Sequence, residues 1–255
     1  MNVSRRLWLG VGAALLVALV LAPMAQAQSE TPARKPAELS GDLAFARFIA
    51  LIRGHLISGD ELIKQHRWNL AYPHFTFPAE EIYGVIRDEL PTYHTPAFDG
   101  ALKALARSVR ARNSAQYPKA LEKVEAALAA ADAGLRARQP DWPRFTVAAA
   151  VEVLKAAADE YEDAIVNGRV AHPVGYRTAR GFVLQADRMI EAAALRFPAA
   201  DTAPLGDIRA EMTKIKAAFA TLNAPERPTM DEKAVDAIVG QIELAFQKLA
   251  PGRQI

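Results

Sequence analysis

The chain contains no cysteine among its 255 residues. Thiolate zinc sites, iron–sulfur clusters, covalently attached c-type haem and a cysteine nucleophile all need that residue, so each is excluded. Disulfides are excluded as well, and a hydrophobic core must therefore stabilise the folded state. The apolar fraction of 51% is sufficient for such a core in a chain of this length.

The sequence also lacks the motifs of common catalytic and nucleotide-binding sites. There is no G-x-S-x-G, H-E-x-x-H, P-loop or G-x-G-x-x-G pattern. The few serines after residue 27 lie outside any nucleophile-elbow context. Most carboxylates lie among lysines and arginines, which is typical of solvated helix faces. The sequence therefore favours a protein that is not an enzyme.

The first 27 residues have the three regions of a secretory signal peptide. Arg5 and Arg6 carry the only charges, residues 7–21 form an apolar run, and A-Q-A at 25–27 is a small-x-small cleavage site. We expect export across a membrane with cleavage after Ala27, and a periplasmic location in a bacterial cell.

Two alternatives remain open for this segment. The apolar run could act as an uncleaved anchor, although its length of about 15 residues is below the ~20 that a spanning helix needs. Residues 4–9 (S-R-R-L-W-L) also loosely resemble a twin-arginine export signal, without its usual lysine. The export route, general secretory or twin-arginine, is therefore not fixed by the sequence.

The mature chain has no excess of positive charge. The full sequence has 31 Lys and Arg against 29 Asp and Glu, and two of the basic residues belong to the signal peptide. Nucleic-acid binding needs a surplus of basic side chains against phosphates, so no nucleic-acid partner is expected. After cleavage, the chain is not expected to span a membrane itself.

Helical spacing dominates the rest of the chain. Residues 28–40 contain two prolines and mixed charges, which predicts a flexible lead. From residue 41 onward, apolar residues recur at intervals of three and four, and Pro or Gly breaks follow at regular distances. This pattern predicts an all-α fold, an antiparallel bundle of about seven to eight helices over residues 41–255. One domain and two sub-bundles, 41–138 and 139–255, are both compatible with it.

The breaks divide the chain into predicted helices at residues 42–66, 78–90, 96–113, 117–138, 141–166, 173–197, 205–222 and 230–249. Residues 72–75 (Y-P-H-F) are interpreted as a connection that could fold over the first helix. Asn167-Gly168 is interpreted as a signal that ends the fifth helix.

Histidine placement is the pattern that most indicates chemistry. Four of the five histidines lie between residues 55 and 94, in a stretch that is also rich in carboxylates. Imidazole and carboxylate without sulfur suit zinc, copper(II) or iron, and ligands from facing helices of a bundle converge inward. The candidate metal ligands are His55, His74, Glu61 and Glu81.

Structural roles would explain the same residues. Histidines often lie at helix ends, as His66 would at the end of the first helix. Glu80 and Glu81 would interact favourably with the dipole at a helix N-terminus. The aromatic residues between positions 68 and 93 would either close the end of the bundle or line a ligand pocket.

A resemblance to a known family adds to this interpretation. Residues 160–182 read E-Y-E-D-A-I-V-N-G-R-V-A-H-P-V-G-Y-R-T-A-R-G-F. They resemble a helix–turn–helix stretch in the periplasmic helical extensions that accompany FTR1-type iron permeases. The shared positions are Tyr161, Ala164, Ile165, Gly168, Val170, Tyr176 and Phe182. The resemblance implies a helical periplasmic protein that accompanies metal uptake, and it transfers no functional residue.

These observations favour a non-enzymatic periplasmic protein that binds a metal ion or small ligand in support of transport. Its partner would be a membrane transporter or an envelope protein. The alternative is a structural or interaction module whose helices dock an envelope or membrane partner. The two hypotheses differ in whether His55, His74 and a carboxylate converge within ligand distance.

The signal peptide gives the first testable prediction. Cleavage after Ala27 should leave Gln28 as the first residue of the native protein, because a signal peptidase cuts after the A-x-A site. Mass spectrometry of the native protein measures this N-terminus. A mass that retains residues 1–27 would contradict the prediction.

Overall fold

Three of the helices begin with a side-chain cap. Each cap lies where a polar segment is followed by apolar residues at helical spacing. Ser40, Asp141 and Asp231 accept hydrogen bonds from backbone N–H groups of the first turns that follow them. Such caps satisfy N–H groups that have no partner inside the helix. The helices that begin here are the first, the sixth and the last within residues 39–249.

The computed structural model describes residues 39–249, so the predicted signal peptide and nearly all of the predicted lead lie outside it. Its nine α-helices are α1 (Gly41–Lys64), α2 (Trp68–Phe77), α3 (Tyr83–Ile86), α4 (Asp99–Arg110), α5 (Tyr117–Arg138), α6 (Trp142–Ala164), α7 (Pro173–Ala194), α8 (Thr202–Ala218) and α9 (Glu232–Gln247). Eight of them have ten residues or more. The predicted all-α fold and helix number are therefore confirmed.

The helices pack around α1. Helix α1 contacts α6 and α7, which in turn contact α9 and α8, and it also contacts α2 and α5. Its buried side chains include Phe45, Ile49, Ile52 and Leu56, which form the apolar stripe expected from the sequence. None of the helices within residues 39–249 is long and apolar enough to cross a membrane.

The crossing of α1 and α7 depends on glycine. A Cβ atom on Gly181 would lie 2.2 Å from the carbonyl oxygen of Gly54, and one on Gly54 would lie 2.4 Å from Cδ1 of Phe182. Ser58 Oγ donates a hydrogen bond of 2.6 Å to the carbonyl of Arg177 across the same crossing. The two backbones therefore approach more closely than any larger residue would allow.

The predicted connection at residues 72–75 is wrong, because these residues belong to helix α2. Pro73 lies inside this helix and lacks the N–H that would bond to the carbonyl four residues earlier. Burial outweighs this loss. Ala71, His74 and Phe75 lie on one face at helical spacing and are at most 1% exposed.

The predicted helix at residues 78–90 is also more irregular than expected. The chain continues from α2 into a π-helical turn at Pro78–Ile82, then into the short α3, and ends in a 3-10 helix at Arg87–Tyr93. A π-helical turn shifts the faces of a helix and is frequent at functional sites. It carries Glu81, one of the predicted ligands.

Asn167-Gly168 does not simply end a helix. Two-residue strands, β1 (Ile165–Val166) and β2 (Arg169–Val170), pair in an antiparallel hairpin around it. Both turn residues have positive φ, 53° and 69°. Asn-Gly favours the two-residue hairpin turn with positive φ at both central positions. The hairpin is a tight link between α6 and α7.

The glycine crossing gives the second testable prediction. Gly181→Ala should lower the free energy of unfolding by about 3 kcal/mol, because the new Cβ meets backbone and overpacking costs about 1–3 kcal/mol. Gly240→Ala is the matched control. Gly240 lies within α9 with no heavy atom within 4 Å of an added Cβ, so alanine should stabilise by up to about 1 kcal/mol.

Urea denaturation followed by circular dichroism measures both variants. Equal stability of the Gly181→Ala protein and the wild type would contradict the close packing of α1 and α7.

Candidate functional site

A cleft of about 520 Å³ opens between α1, α6, α7 and the π-helical turn. Its walls come from residues that are far apart in sequence: Arg47, Leu51 and His55 on α1, Asp159, Glu160 and Asp163 on α6, and Gly175, Thr178 and Phe182 on α7. Phe77 and Glu81 complete it at the end of α2 and in the π-helical turn. The volume is in the range of small-molecule and cofactor sites.

The wall of this cleft is acidic. Four carboxylates line it, from Glu81, Asp159, Glu160 and Asp163. Within residues 39–249 these side chains form no ion pair or hydrogen bond, although Arg47 lines the same cleft. The wall therefore has an excess of negative charge that the neighbouring side chains do not neutralise.

The pKa values of two wall carboxylates reflect this crowding. Burial raises the pKa of Glu160, and the charges of Asp163 and Asp159 raise it further. Burial is also the main cause that raises the pKa of Asp159; Arg47 opposes the shift and Asp163 adds to it. A bound cation would relieve the repulsion between these carboxylates.

The floor of the cleft holds buried polar atoms without partners. His55 is 5% exposed and Thr178 is 1% exposed, and both line the cleft. Neither His55 Nδ1 nor Thr178 Oγ1 has a hydrogen-bond partner in the described part of the chain. Buried polar groups in folded proteins are usually satisfied, so unsatisfied ones beneath an acidic wall indicate a ligand site.

His74 lies next to His55, as the sequence analysis expected. The two ring centroids are 5.9 Å apart, and both nitrogens of His74 are buried without a hydrogen-bond partner among residues 39–249. Burial lowers the pKa of each imidazole to about 3; the charge of the other histidine adds to the shift of His55, and that of Arg177 to the shift of His74. Both rings are therefore neutral at pH 7, the state in which imidazole binds metals.

The other two candidate ligands, Glu81 and Glu61, lie in different grooves. Glu81 is exposed and lines the cleft with His55, whereas Glu61 forms an ion pair with Arg180 of α7 and lines a different groove. In the part of the chain that the structure describes, no group of three or more His, Asp or Glu could hold a metal ion. His55, His74 and a carboxylate therefore do not converge within ligand distance among residues 39–249, which by itself favours the interaction module. Two of the four candidates, His55 and Glu81, share one cleft, and their role as metal ligands stays a prediction.

The other histidines and most aromatic residues between positions 66 and 94 lie outside the cleft. His66 and His94 are exposed at helix ends with positive φ, 58° and 52°. Three of the aromatic side chains between positions 68 and 93 are buried in the core, for example Phe75, which contacts Tyr117 edge-on, and Trp68 is half-buried against the same ring. Phe77 differs, because it lines the cleft and contacts His55 edge-on at 5.8 Å.

The α6 acids and Thr178 were missed in the sequence analysis. The run D-E-Y-E-D at 159–163 resembles a solvated helix face, and a lone threonine carries no motif. The available signal was spacing: Asp159 and Asp163 are four residues apart and therefore share a helix face. Only the packing of α6 against α1 shows that this face lines a cleft.

Residues 136–253 match the family model of the iron permease-associated 4-helix bundle domain. The resemblance predicted from residues 160–182 is therefore confirmed. The matched segment contains α6, α7, α8 and α9, including the carboxylates of α6, while α1 and the π-helical turn precede it. No curated protein and no solved structure matches the chain significantly.

The buried histidines give the third testable prediction. Between pH 6.5 and about 3, the unfolded state binds protons that the folded state excludes from these rings. The free energy of unfolding therefore falls as the pH falls through this window, by up to about 1.4 kcal/mol per pH unit for each histidine. Above pH 6.5 the histidines contribute no pH dependence.

His74→Leu should make this acid slope shallower and leave the stability at pH 7 equal or higher, because leucine needs no hydrogen bonds. His172→Leu is the control, since His172 is exposed at the start of α7. Urea midpoints from pH 7 to pH 4 measure the slopes. If the urea midpoints of the wild type and of His74→Leu fell equally between pH 7 and pH 4, the result would show that folding does not keep the His74 ring neutral.

Proposed function

We propose that this chain is an exported, non-enzymatic accessory protein of an iron permease and that it binds a cation in the acidic cleft. The family match to residues 136–253 supports a role beside a membrane transporter of iron. The N-terminal sequence supports export to the periplasm. The observation that carries the cation-binding function is the set of four unpaired carboxylates above buried, unpartnered His55 and Thr178.

The electrostatics favour a cation over other ligands. Like charges on one wall repel each other, and a positive ion between them converts this repulsion into attraction. Arg47 neutralises only part of the charge, because among residues 39–249 it is the one Arg or Lys in a lining with four acids. An anion or a purely apolar ligand would leave the carboxylates uncompensated.

The spacing of the groups favours a hydrated or chelated ion. Three protein ligands do not converge on one point within residues 39–249, so direct coordination by the chain alone is not preformed. Carboxylates can hold an ion through its bound water molecules, and such water-mediated contacts are nearly as favourable as direct ones. Loose binding of this kind suits an accessory protein that must release the ion to a transporter.

The imidazole of His55 and the carboxylate oxygens form a mixed donor set. That set suits iron, zinc and copper(II). Iron is the first ion to test, because the matched family is a domain associated with an iron permease. A cation competes with protons for the carboxylates of the cleft wall. Since the pKa values of Asp159 and Glu160 are raised, we expect affinity to fall on acidification at higher pH than for exposed carboxylates.

Calorimetry of the wild type and two matched variants provides the fourth testable prediction. Anaerobic Fe²⁺, and Zn²⁺ and Cu²⁺ in parallel, are titrated into the protein at pH 7. Glu160→Gln removes one charge of the cleft wall and should weaken the binding of the bound ion about tenfold, the scale of one nearby charge in a partly solvated site. Glu162→Gln removes the same charge from an exposed position of α6 outside the cleft lining and should change it less than twofold.

Two results would contradict the proposal. One is the absence of binding of all three ions at micromolar concentrations, which would leave the alternative that the helices only dock an envelope partner. The other is an equal effect of Glu160→Gln and Glu162→Gln, which would assign binding to general surface charge.

A further inference from the structure

We propose a second binding site, for a small organic carboxylate with an aromatic or branched apolar body. It is a pocket of about 280 Å³ between α1, α5, α6 and α7, here called the anion pocket. It uses a different face of α1 from the acidic cleft: Ala46, Ala50 and Arg53 line the pocket, whereas positions 47, 51 and 55 line the cleft. Its volume is near the lower end of the range for small-ligand sites.

Apolar side chains form much of the pocket lining. Trp142 and Phe145 stack with ring centroids 5.8 Å apart, and both rings line the pocket beside Met189. Ala50 and Ala149 line it as well, and their small side chains leave the space open. Flat aromatic faces and a flexible thioether bind aromatic and branched aliphatic groups well.

The side chain of Gln185, whose amide has no partner among residues 39–249, lines the same pocket. Gln185 is only 7% exposed, and in the described part of the chain its side chain makes no hydrogen bond. Gln185 also lines the adjoining groove between α1, α5 and α7. An amide N–H that is free of protein partners and reaches the open space of a pocket is a donor available to a ligand oxygen.

The charges of the pocket select an anion. Arg53 and Asp132 bind each other through two contacts of 3.0 and 2.8 Å, so their charges cancel. Arg188, one turn from Gln185 on α7, is exposed at the rim, forms no ion pair among residues 39–249 and leaves the rim of the pocket positive. In the adjoining groove, Asp60 is paired with Lys64 and Glu61 with Arg180, and Glu125 is exposed.

The guanidinium of Arg188 and the amide of Gln185 lie beside the apolar lining, so together they suit a ligand with a carboxylate on an apolar body. Arginine binds carboxylates through charge-assisted hydrogen bonds, which are stronger than neutral ones. The acidic cleft could not hold such a ligand, because its own carboxylates would repel it. The anion pocket therefore does not depend on the proposed cation binding.

Ligand-observed NMR titrations with metal-free protein test the site. The probes are benzoate, indole-3-acetate and 4-methylpentanoate. Benzamide lacks the charge, and acetate lacks the apolar body. At least one of the three full probes should bind with a Kd below about 1 mM, the affinity that ligands of this size reach, and both truncated probes should bind at least tenfold more weakly.

Two arginine variants locate the site. Arg188→Gln should weaken binding of the carboxylate at least tenfold, the effect of losing a charged hydrogen bond. Arg196→Gln removes the same charge from an exposed position just after α7 and should leave the Kd unchanged. Ala192→Trp places a large ring at the exposed edge of the pocket and should block binding while circular dichroism stays unchanged.

Absence of binding of all three probes up to 10 mM would overturn the proposal. Equal binding of benzoate and benzamide would also overturn it, as would an unchanged Kd in Arg188→Gln. Glu160→Gln separates this proposal from the proposed function: it should impair cation binding and leave benzoate binding intact. A loss of both in that variant would contradict two independent sites.

Discussion

The close crossing of α1 and α7 determines where the neighbouring helices pack and where the acidic cleft lies. Gly54 and Gly181 have no side chains to separate the two backbones, and Ser58 bonds to the carbonyl of Arg177 across the gap. His55 follows Gly54 directly, and Phe182 follows Gly181. Their rings meet edge-on with centroids 5.2 Å apart. The contact that packs the helices therefore also builds the floor of the acidic cleft.

The cleft combines features that oppose stability. Carboxylates on one wall repel each other, and the imidazole and hydroxyl groups below them are buried without partners. Folded proteins tolerate such unsatisfied groups mainly at sites where a ligand completes them. The α6 part of this site lies inside the segment that matches the iron permease-associated family, and the α1 part precedes it. A cation in the cleft would thus connect the family domain with the helices before it.

Much of the fold could be predicted from the sequence, because caps, proline breaks and apolar spacing act locally. Prediction failed where a distant contact outweighed a local signal. Pro73 looked like a break, but burial of Ala71 and Phe75 keeps that segment helical. His55 and His74, both candidate ligands, lie with ring centroids 5.9 Å apart, but His74 reaches this position from helix α2 and not from a connection. The acids of α6 looked solvated, and only tertiary packing reveals that they face His55 across a cleft.

Anomalous diffraction from crystals soaked in Fe²⁺ under anaerobic conditions tests cation binding in the cleft, because it locates the ion without relying on affinity changes. We expect a dominant iron peak inside the cleft, between His55 and the carboxylates of Asp159 and Glu160. The same soak of Glu160→Gln crystals should give a weaker peak at this position. A dominant peak elsewhere on the protein, or an equally strong peak in the variant, would contradict the account.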